Sequence, residues 1–202
     1  MTTSDQVVLL FGGRQLPHPL RGLTSVVVNG SDEVDSAVGH CRRLIVVGSD
    51  ADLAVALGRL LRAARLDVEV GFTGGGWVTA RTARRGAAHR VPLIRDETGT
   101  VLVGAAQWIG VDGAALHGEA IVDDTVLFDG SAPGVRIEPT STTPGLRAAV
   151  LSERGRPGRW AAGRAAQLGT TGAQVIRDGV PAPRTVRRST FYRHTEGWLR
   201  VR

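Results

Sequence analysis

Residues 43–65, RLIVVGSDADLAVALGRLLRAAR, decide the fold of this chain. The apolar run at residues 44–47 predicts a strand buried on both faces, because none of its side chains needs water. After a turn that begins at Gly48, leucines recur at helical spacing and predict an amphipathic helix. A strand, a glycine turn and a helix start form an anion-binding geometry, since unpaired N–H groups and the helix dipole favour phosphate. An ordinary strand-to-helix connection has the same geometry, and that interpretation stays open.

The bulk composition is that of a globular protein. The chain has 202 residues, 42% of them apolar, which is enough for one large domain or two small ones. No apolar run reaches the roughly 20 residues of a membrane span, and the first residues lack the pattern of a signal peptide. Cys41 is the only cysteine, so an internal disulfide and a thiolate metal cluster are excluded. We therefore expect a cytoplasmic protein.

The charge is unevenly distributed. All 25 basic residues are arginines, which excludes Schiff-base chemistry and a P-loop lysine. Residues 1–95 hold twelve arginines and eight acids, residues 96–139 one and eight, and residues 140–202 twelve and three, so the net charges are +4, −7 and +9. The basic end either faces phosphorylated ligands, anionic lipid or nucleic acid, or is a solvated surface that pairs with the acidic segment.

The sequence pattern changes once along the chain. Strand and helix patterns alternate over residues 7–72, which predicts a small parallel sheet covered by helices. From about residue 92, short β-rich runs are separated by turn residues, as in an antiparallel sandwich. We therefore predict an α/β domain at residues 1–95 and a β-rich domain at residues 96–202. Three tryptophans are expected to anchor the core of the second domain: Trp108, Trp160 and Trp198.

A second glycine-rich turn, TGGG at residues 73–76, follows a predicted strand at residues 68–72. A helix is predicted directly after it, at residues 77–85. Backbone without side chains approaches a phosphate closely, while consecutive glycines also form mobile loops, and both interpretations stay open. The turn is not a Walker A motif, because no lysine follows it.

Three segments together carry a resemblance to a known family. Residues 48–52, GSDAD, leave a buried strand; residues 73–79 read TGGGWVT; and residues 175–181 read VIRDGVP. They resemble, in order, the Gly-Gly-Asp-Gly-Thr, Gly-Thr-x-Asn and Asp-Gly-Glu segments of the superfamily of diacylglycerol kinases and NAD kinases. The resemblance implies a small α/β domain with a parallel sheet, then a β-rich antiparallel sandwich, with a nucleotide bound between them.

The resemblance also implies ligands and residue roles. ATP and Mg²⁺ are the implied cofactors, and the implied partner is a nucleotide or another phosphorylated small molecule. Asp50 is implied as a catalytic residue that organises Mg²⁺ and phosphate, with Asp52 as a second Mg²⁺ ligand. The residues implied to bind the cofactor are Gly48, Ser49, Asp52, Thr73, Gly74, Gly75 and Gly76. The catalytic acid of the family falls on Val180, so Asp178 is the nearest candidate base.

The first signature departs from the family pattern in a way that opposes phosphotransfer. Ser49 and Ala51 add Cβ atoms where close approach to phosphate favours glycine. Asp52 replaces threonine, and two acids at the helix start cap the helix and repel phosphate unless Mg²⁺ bridges them. Loss of a general base slows chemistry by about 10²–10⁴-fold. We therefore expect weak or lost kinase activity.

Two further groups of acids have alternative interpretations. Glu119, Asp123, Asp124 and Asp129 form a candidate Mg²⁺ or Ca²⁺ site, because both ions prefer oxygen ligands. Alternatively, Asp123-Asp124 and Asp129-Gly130 mark turns on either side of a strand at residues 125–128. Asp178-Gly179 has a similar alternative as a type I′ hairpin turn.

A basic run, RTVRRSTFYRH, occupies residues 184–194. On a strand it places Arg187 and Ser189 on one face and Arg188 and Thr190 on the other, which suits a ridge that binds phosphate or lipid headgroups. Nucleic acid is disfavoured, because aromatic residues make up 4% of the chain. The alternative function is a non-enzymatic interaction protein that meets an anionic partner or membrane through this segment. A homo-oligomer also stays open.

Overall fold

The computed structural model describes residues 5–39 and 41–202, and these form two compact units. The first unit holds the described residues up to Val91 together with Glu196–Arg202, and the second unit is Pro92–Thr195. Each unit is built on one sheet.

The sheet of the first unit is mixed and mostly parallel. With strands numbered along the chain, its members are β1 (Gln6–Phe11), β2 (Thr24–Val28), β3 (Arg43–Val47), β4 (Glu69–Thr73), β5 (Ala88–Val91) and β17 (Trp198–Val201). The strand order is β2-β1-β3-β4-β17-β5, and only β5 runs antiparallel to its neighbour among the described strands. The predicted α/β class is confirmed.

The helices of the first unit are α1 (Ser31–Val38), α2 (Asp50–Arg62) and α3 (Trp77–Arg85). All residues of β3 are buried, as expected of an apolar central strand. The inward stripe of α2 is apolar and buried and consists of Leu53, Ala56, Leu57 and Leu60. Ala80 and Ala83 are small enough to bring α3 against the side chains of β1 and β3. The stretch at residues 43–65 therefore folds as its pattern predicts.

Arg43 is a buried cation that links two strands and a helix of this unit. It lies in β3 and is 7% exposed. Its guanidinium pairs with Glu69 of β4 at 2.6 Å and donates to the carbonyl oxygens of Arg84 at 2.7 Å and Gly86 at 3.0 Å. Because a guanidinium has five N–H donors in a fixed fork, one side chain joins two strands to the C-terminal end of α3.

The second unit is an eleven-stranded antiparallel sheet, counted over its described residues. Its strands are β6 (Ile94–Asp96), β7 (Val101–Leu102), β8 (Ala106–Ile109), β9 (Leu116–Val122), β10 (Thr125–Ala132), β11 (Gly134–Pro139), β12 (Leu146–Val150), β13 (Ala161–Gly163), β14 (Ala165–Arg177), β15 (Val180–Pro181) and β16 (Val186–Arg193). Trp108 and Phe191 lie in its core with ring centroids 5.8 Å apart. The predicted antiparallel β class is confirmed.

Two tryptophans differ from the prediction. Trp198 begins β17, which lies between β4 and β5, so it belongs to the first unit. Nothing in the sequence of this four-residue terminal strand indicates which of the two sheets it joins. Trp160 is only half-buried, and the Arg147 guanidinium stacks on it with Cζ 4.3 Å from the ring centroid. Trp108 alone of the three anchors the antiparallel core as predicted.

Candidate functional site

The candidate site is the carboxyl edge of the first sheet. β1, β3 and β4 are parallel neighbours, so their carboxyl ends meet at this edge. Each end is followed by glycine: Gly12-Gly13 after β1, Gly48 after β3 and residues 74–76 after β4. The Gly48 N–H donates to the Thr73 carbonyl oxygen at 3.1 Å, which joins the β3 and β4 turns. The fold therefore brings together the two glycine turns that the sequence singled out, at Gly48 and at residues 74–76, and places Gly12-Gly13 at the same edge.

The turn from β3 into α2 is closed by its own side chains. Ser49 is the N-cap of α2, and its Oγ accepts from the Asp52 N–H at 3.3 Å. The Asp52 Oδ2 accepts in return from the Ser49 N–H at 2.7 Å and from the Ser49 hydroxyl at 2.8 Å. This capping box satisfies two N–H groups that a helix start leaves unpaired.

The Asp52 side chain also explains why residue 48 is glycine. A Cβ at Gly48 would lie 2.7 Å from both the Cβ and the Oδ2 of Asp52, which is too close for either contact. The carboxylate thus covers the backbone where a phosphate was expected to bind. Asp50, in contrast, is exposed, and its carboxylate has no hydrogen-bond partner within residues 5–39 and 41–202. The two acids of this helix start therefore differ in what they are free to bind.

The turn from β4 into α3 is open. Thr73 is buried at the end of β4, where its Oγ1 accepts from the Gly75 N–H at 3.0 Å and lies 2.6 Å from the Thr79 Oγ1. Gly75 has a φ of +111°, a conformation that favours glycine. Gly76 is the N-cap of α3, and no side chain of the described residues caps this helix start. The first N–H groups of α3 therefore face outward without a side-chain acceptor.

Arg14 is a residue of this edge that sequence reasoning missed. It follows Gly12 and Gly13, whose φ values of +61° and +68° turn the chain after β1. The Arg14 Nη1 donates to the Gly74 carbonyl oxygen at 2.7 Å, so a guanidinium lies against the glycine-rich turn. The sequence pattern that could have indicated its role is Gly-Gly-Arg directly after a buried strand. The edge thus has a cation although the chain has no lysine.

Asp178 lies in the second unit, in the hairpin turn between β14 and β15. Asp178 and Gly179 have φ values of +49° and +83°, as a type I′ turn requires. The Asp178 carboxylate accepts from the N–H groups of Val103 at 3.1 Å, Gly104 at 2.7 Å and Ala105 at 3.1 Å. These bonds hold the loop before β8, which favours the turn interpretation over a proton-accepting role.

The acidic cluster does not form a metal site within the described residues, where no three His, Cys, Asp or Glu side chains are placed to hold an ion. Asp123 turns the chain from β9 into β10, and its carboxylate accepts from two backbone N–H groups at the start of β14 at 3.0 Å. Asp123-Asp124 is therefore a turn. The turn prediction is wrong for Asp129-Gly130, because β10 continues through both residues with Asp129 opposite Glu119.

The basic run at residues 184–194 lies mainly on β16. Arg187 and Arg188 are exposed, but Ser189 is buried and accepts from the Trp108 Nε1 at 3.0 Å. The prediction that Ser189 joins a surface ridge is therefore wrong, because the Trp108 N–H needs a partner in the core. The exposed charge of this strand comes from its two adjacent arginines.

Acidic and basic segments pair at two places among the described residues of the second unit, Arg177 with the buried Asp96 at 2.6 Å and Arg147 with Glu138. Glu138 of β11 lies 2.7 Å from Arg136 and 2.7 Å from Arg147 of β12. Burial acts to raise the pKa of Glu138, but hydrogen bonds from these two arginines outweigh it and hold the pKa below its ordinary value.

The helices of the described residues are all too short or too polar to cross a membrane.

The fold and the site define a protein with two units: a mostly parallel α/β unit with glycine turns at its carboxyl edge, and an antiparallel β unit. The sequence matches no protein-family model and no curated protein. Solved structures, in contrast, match along the whole chain. A structure from Bacillus anthracis str. Sterne, described as a candidate diacylglycerol kinase, has a TM-score of 0.71 at 12% identity and covers 100% of this chain and 98% of that one.

Two further structures give the same result. A diacylglycerol kinase from Bacillus anthracis str. Sterne has a TM-score of 0.69 at 12% identity and covers 100% of this chain and 98% of its own. An NAD kinase from Archaeoglobus fulgidus in complex with ATP has a TM-score of 0.65 at 11% identity, with 98% and 93% covered. The chain therefore has the fold of diacylglycerol kinases and NAD kinases, and the predicted resemblance is confirmed at the level of the fold.

Proposed function

We propose that the carboxyl edge of the first sheet binds a nucleotide or another phosphorylated ligand, and that phosphotransfer is weak or lost. One observation carries the proposal: the uncapped start of α3 follows three exposed glycines, and Arg14 lies 2.7 Å from the Gly74 carbonyl oxygen. Backbone N–H groups, the positive end of the helix dipole and a guanidinium are together the groups that bind phosphate. The solved NAD kinase of this fold in complex with ATP supports a nucleotide as the ligand.

Of the two glycine turns, the one before α3 is the better phosphate site. At α2 the N–H groups of Ser49 and Asp52 are already bonded in the capping box, and the Asp52 carboxylate repels an anion. At α3 no acid is present in the first turn, and a Cβ at Gly74 would meet nothing within 4 Å. The phosphates are therefore placed on Gly74, Gly75 and Gly76, with Gly48 and Ser49 at the rim.

The exposed Asp50 fits a role as a Mg²⁺ ligand. Mg²⁺ usually keeps several waters and binds one or two protein carboxylates together with the phosphates of its ligand. Asp50 has a carboxylate free for this, whereas the Oδ2 of Asp52 already accepts two hydrogen bonds. When bound, Mg²⁺ would neutralise phosphate charge. Asp50 would hold the ion, and Asp52 remains the cap of α2.

Weak phosphotransfer follows from the lack of a base. Val180, at the position of the implied acid, is 56% exposed and accepts no proton. The Asp178 carboxylate is occupied by three backbone N–H groups. Positioning and charge neutralisation alone allow some phosphoryl transfer, at a rate about 10²–10⁴-fold below that of an enzyme with a general base. Ordinary turnover of diacylglycerol, NAD or a related alcohol with Mg²⁺-ATP would contradict this part of the proposal. Contact of the ligand with the second domain stays a prediction.

Binding is tested by calorimetric titration of Mg²⁺-ATP into wild-type protein, Arg14→Gln and a matched control, Arg62→Gln. Arg62 is exposed and lies in the last turn of α2, at the opposite end of that helix from the glycine turn. We expect Arg14→Gln to weaken binding by about tenfold or more, since a charged hydrogen bond contributes about 1.5–3 kcal/mol. Arg62→Gln should bind like wild type. Equal weakening in both variants would indicate a nonspecific charge effect and count against the site.

A second candidate function is supported by the exposure of Arg187 and Arg188 on β16. In this alternative the chain is a non-enzymatic interaction protein whose basic C-terminal surface meets an anionic partner. Salt-sensitive binding to anionic vesicles that Arg187→Gln with Arg188→Gln abolishes, without nucleotide binding, would favour it.

A further inference from the structure

An open groove lies between two strand edges of the second unit. Its volume is about 480 Å³, and it is lined by residues 125–127, by Val150 and by residues 158–162. The first of these segments begins β10, and the last runs into β13. Among the described residues, β10 pairs only with β9, and β13 pairs only with β12. The groove is therefore bounded by two strands whose outer edges have no partner strand.

The two sides of the groove are tied together at one end. The Asp123 carboxylate, in the turn before β10, accepts from the N–H groups of Arg164 and Ala165 at 3.0 Å. Gly163, the last residue of β13, leaves no room for a Cβ against Val122. In the part of the chain that the structure describes, no backbone hydrogen bond joins β10 to β13. The unpaired N–H and C=O groups of such an edge are a template for another strand.

The two edges differ in how well they suit an added strand. β10 has a bulge between Val126 and Phe128, where its register with β9 shifts. A bulge twists an edge and opposes further pairing. β13 pairs with β12 in one regular register. The edge of β13 is therefore the better template, and β10 forms the facing wall.

Apolar side chains lie on both sides of the groove. Val126 is 57% exposed on the β10 side, and Trp160 is half-buried immediately before β13. The Arg147 guanidinium stacks on the Trp160 ring and is itself bonded to Glu138 at 2.7 Å, which holds the ring in place. Because successive side chains of a strand face opposite ways, an added strand can direct every second side chain to Val126 and Trp160.

The loop before β13 supplies positive charge beside the groove. Residues 152–160 contain one acid and three exposed arginines: Arg154, Arg156 and Arg159. Within residues 5–39 and 41–202, no carboxylate pairs with these three guanidinium groups. The loop is folded by its own backbone, since the Ser152 N–H donates to the Arg156 carbonyl oxygen at 2.8 Å and the Gly158 N–H to that of Val150 at 2.9 Å. The arginines therefore stand at a defined place next to the unpaired edge.

We propose that this groove binds an extended acidic segment of another polypeptide, which adds to the edge of β13 as a further strand. In this mode main-chain hydrogen bonds supply affinity, and alternate side chains supply specificity. The acidic side chains of the segment meet the arginines of residues 152–160, while its apolar side chains lie against Val126 and Trp160. A lipid or a nucleic acid would pair with the arginines but has no N–H and C=O groups at the spacing of a strand. This binding involves only the second unit and is independent of nucleotide binding at the first sheet.

The test is fluorescence anisotropy of a labelled seven-residue peptide of alternating glutamate and valine, without nucleotide. Wild-type protein should bind it and lose affinity as salt is raised. The same peptide with lysine in place of glutamate should not bind. Methylation of alternate backbone nitrogens should weaken binding by about tenfold in the phase that removes the N–H groups facing β13. In the other phase the peptide should bind nearly like the unmodified one.

A matched pair of variants tests the arginines. Arg156→Gln with Arg159→Gln should weaken binding of the glutamate peptide by about tenfold, because it removes two ion pairs at the surface. Both side chains are exposed, so the variant should keep the wild-type circular dichroism spectrum. The control, Arg187→Gln with Arg188→Gln, removes the same charge from β16 and should bind the peptide like wild type.

Amide chemical shifts locate the bound peptide. In a ¹⁵N–¹H titration of wild-type protein, the signals that move should belong to residues 125–127 and 158–163. Failure of wild type to bind, equal binding of the lysine peptide, or equal losses in the two arginine variants would overturn the proposal. Binding that neither phase of methylation weakens, or shifts confined to residues outside the groove, would overturn it as well.

Discussion

Substitution of Asp52 by asparagine should lower stability and raise affinity for phosphate at the same time. Asparagine keeps the size of the side chain and an oxygen that accepts from the Ser49 N–H, so the fit against Gly48 is retained. Only the negative charge of Asp52 is removed, and Asp50 keeps its own. A carboxylate at this position stabilises a helix by about 0.3–1 kcal/mol, and its charged hydrogen bonds are stronger than neutral ones. We expect a loss of about 1 kcal/mol, or about 3 °C in Tm.

The same change removes repulsion from the phosphate site. Two unit charges 4 Å apart interact by about 1 kcal/mol in water and by about 4 kcal/mol at the effective dielectric constant of a protein surface. A gain of about tenfold in affinity for ATP without Mg²⁺ lies within that range. The assay is thermal unfolding paired with calorimetric titration of ATP in the presence of a chelator. If Asp52→Asn weakened ATP binding, the carboxylate would be a ligand of the nucleotide rather than only the cap of α2, contrary to this prediction.

Three further predictions concern buried or paired groups. Arg43→Ala should destabilise the first unit by about 3–5 kcal/mol, because it leaves the Oε2 of Glu69 and several carbonyl oxygens without their donor; a loss below 1 kcal/mol in urea unfolding would contradict this. The pKa of Glu138 is lowered, so its contribution to stability is present above its ordinary pKa of 4.5 and is lost as the pH falls below that value; Glu138→Gln should flatten this part of the stability profile, and an unchanged profile would speak against the arginine pairing. Burial raises the pKa of Cys41, so a thiol reagent should label the native protein at least about 100-fold more slowly than the unfolded chain; equal rates would show that the thiol is accessible.

The elements nearest residues 43–65 were predictable because their signals are local. An apolar run and leucines at helical spacing are enough to indicate β3 and α2. The two acids at the helix start were predicted to cap α2, whereas the structure has Ser49 as the N-cap and Asp52 as its partner. Long-range contacts gave no comparable signal. Arg14 meets Gly74 across 60 residues, and that contact depends on the adjacency of β1, β3 and β4.

Turn-forming residues predicted a turn correctly only where the chain does not pair with a neighbouring strand. Asp123-Asp124 and Asp178-Gly179 are turns, because each adopts a positive φ and its aspartate binds backbone N–H groups. Asp129-Gly130 has a similar sequence and Gly130 also has a positive φ, of +110°, but both residues lie inside β10 and pair with β9. The role of Asp52 likewise required the structure, since a carboxylate at a helix start serves as a cap or as an ion ligand with the same sequence pattern.

The most direct test of the account is the calorimetric titration of ATP into wild-type protein and Asp50→Ala, each with and without Mg²⁺. Asp50 is exposed, so its replacement should leave the fold and the capping box intact. We predict that wild-type protein binds ATP more tightly with Mg²⁺ and that Asp50→Ala loses this gain. Absence of ATP binding to wild type, or a gain from Mg²⁺ that survives in Asp50→Ala, would contradict the assignment of this edge as a Mg²⁺-nucleotide site.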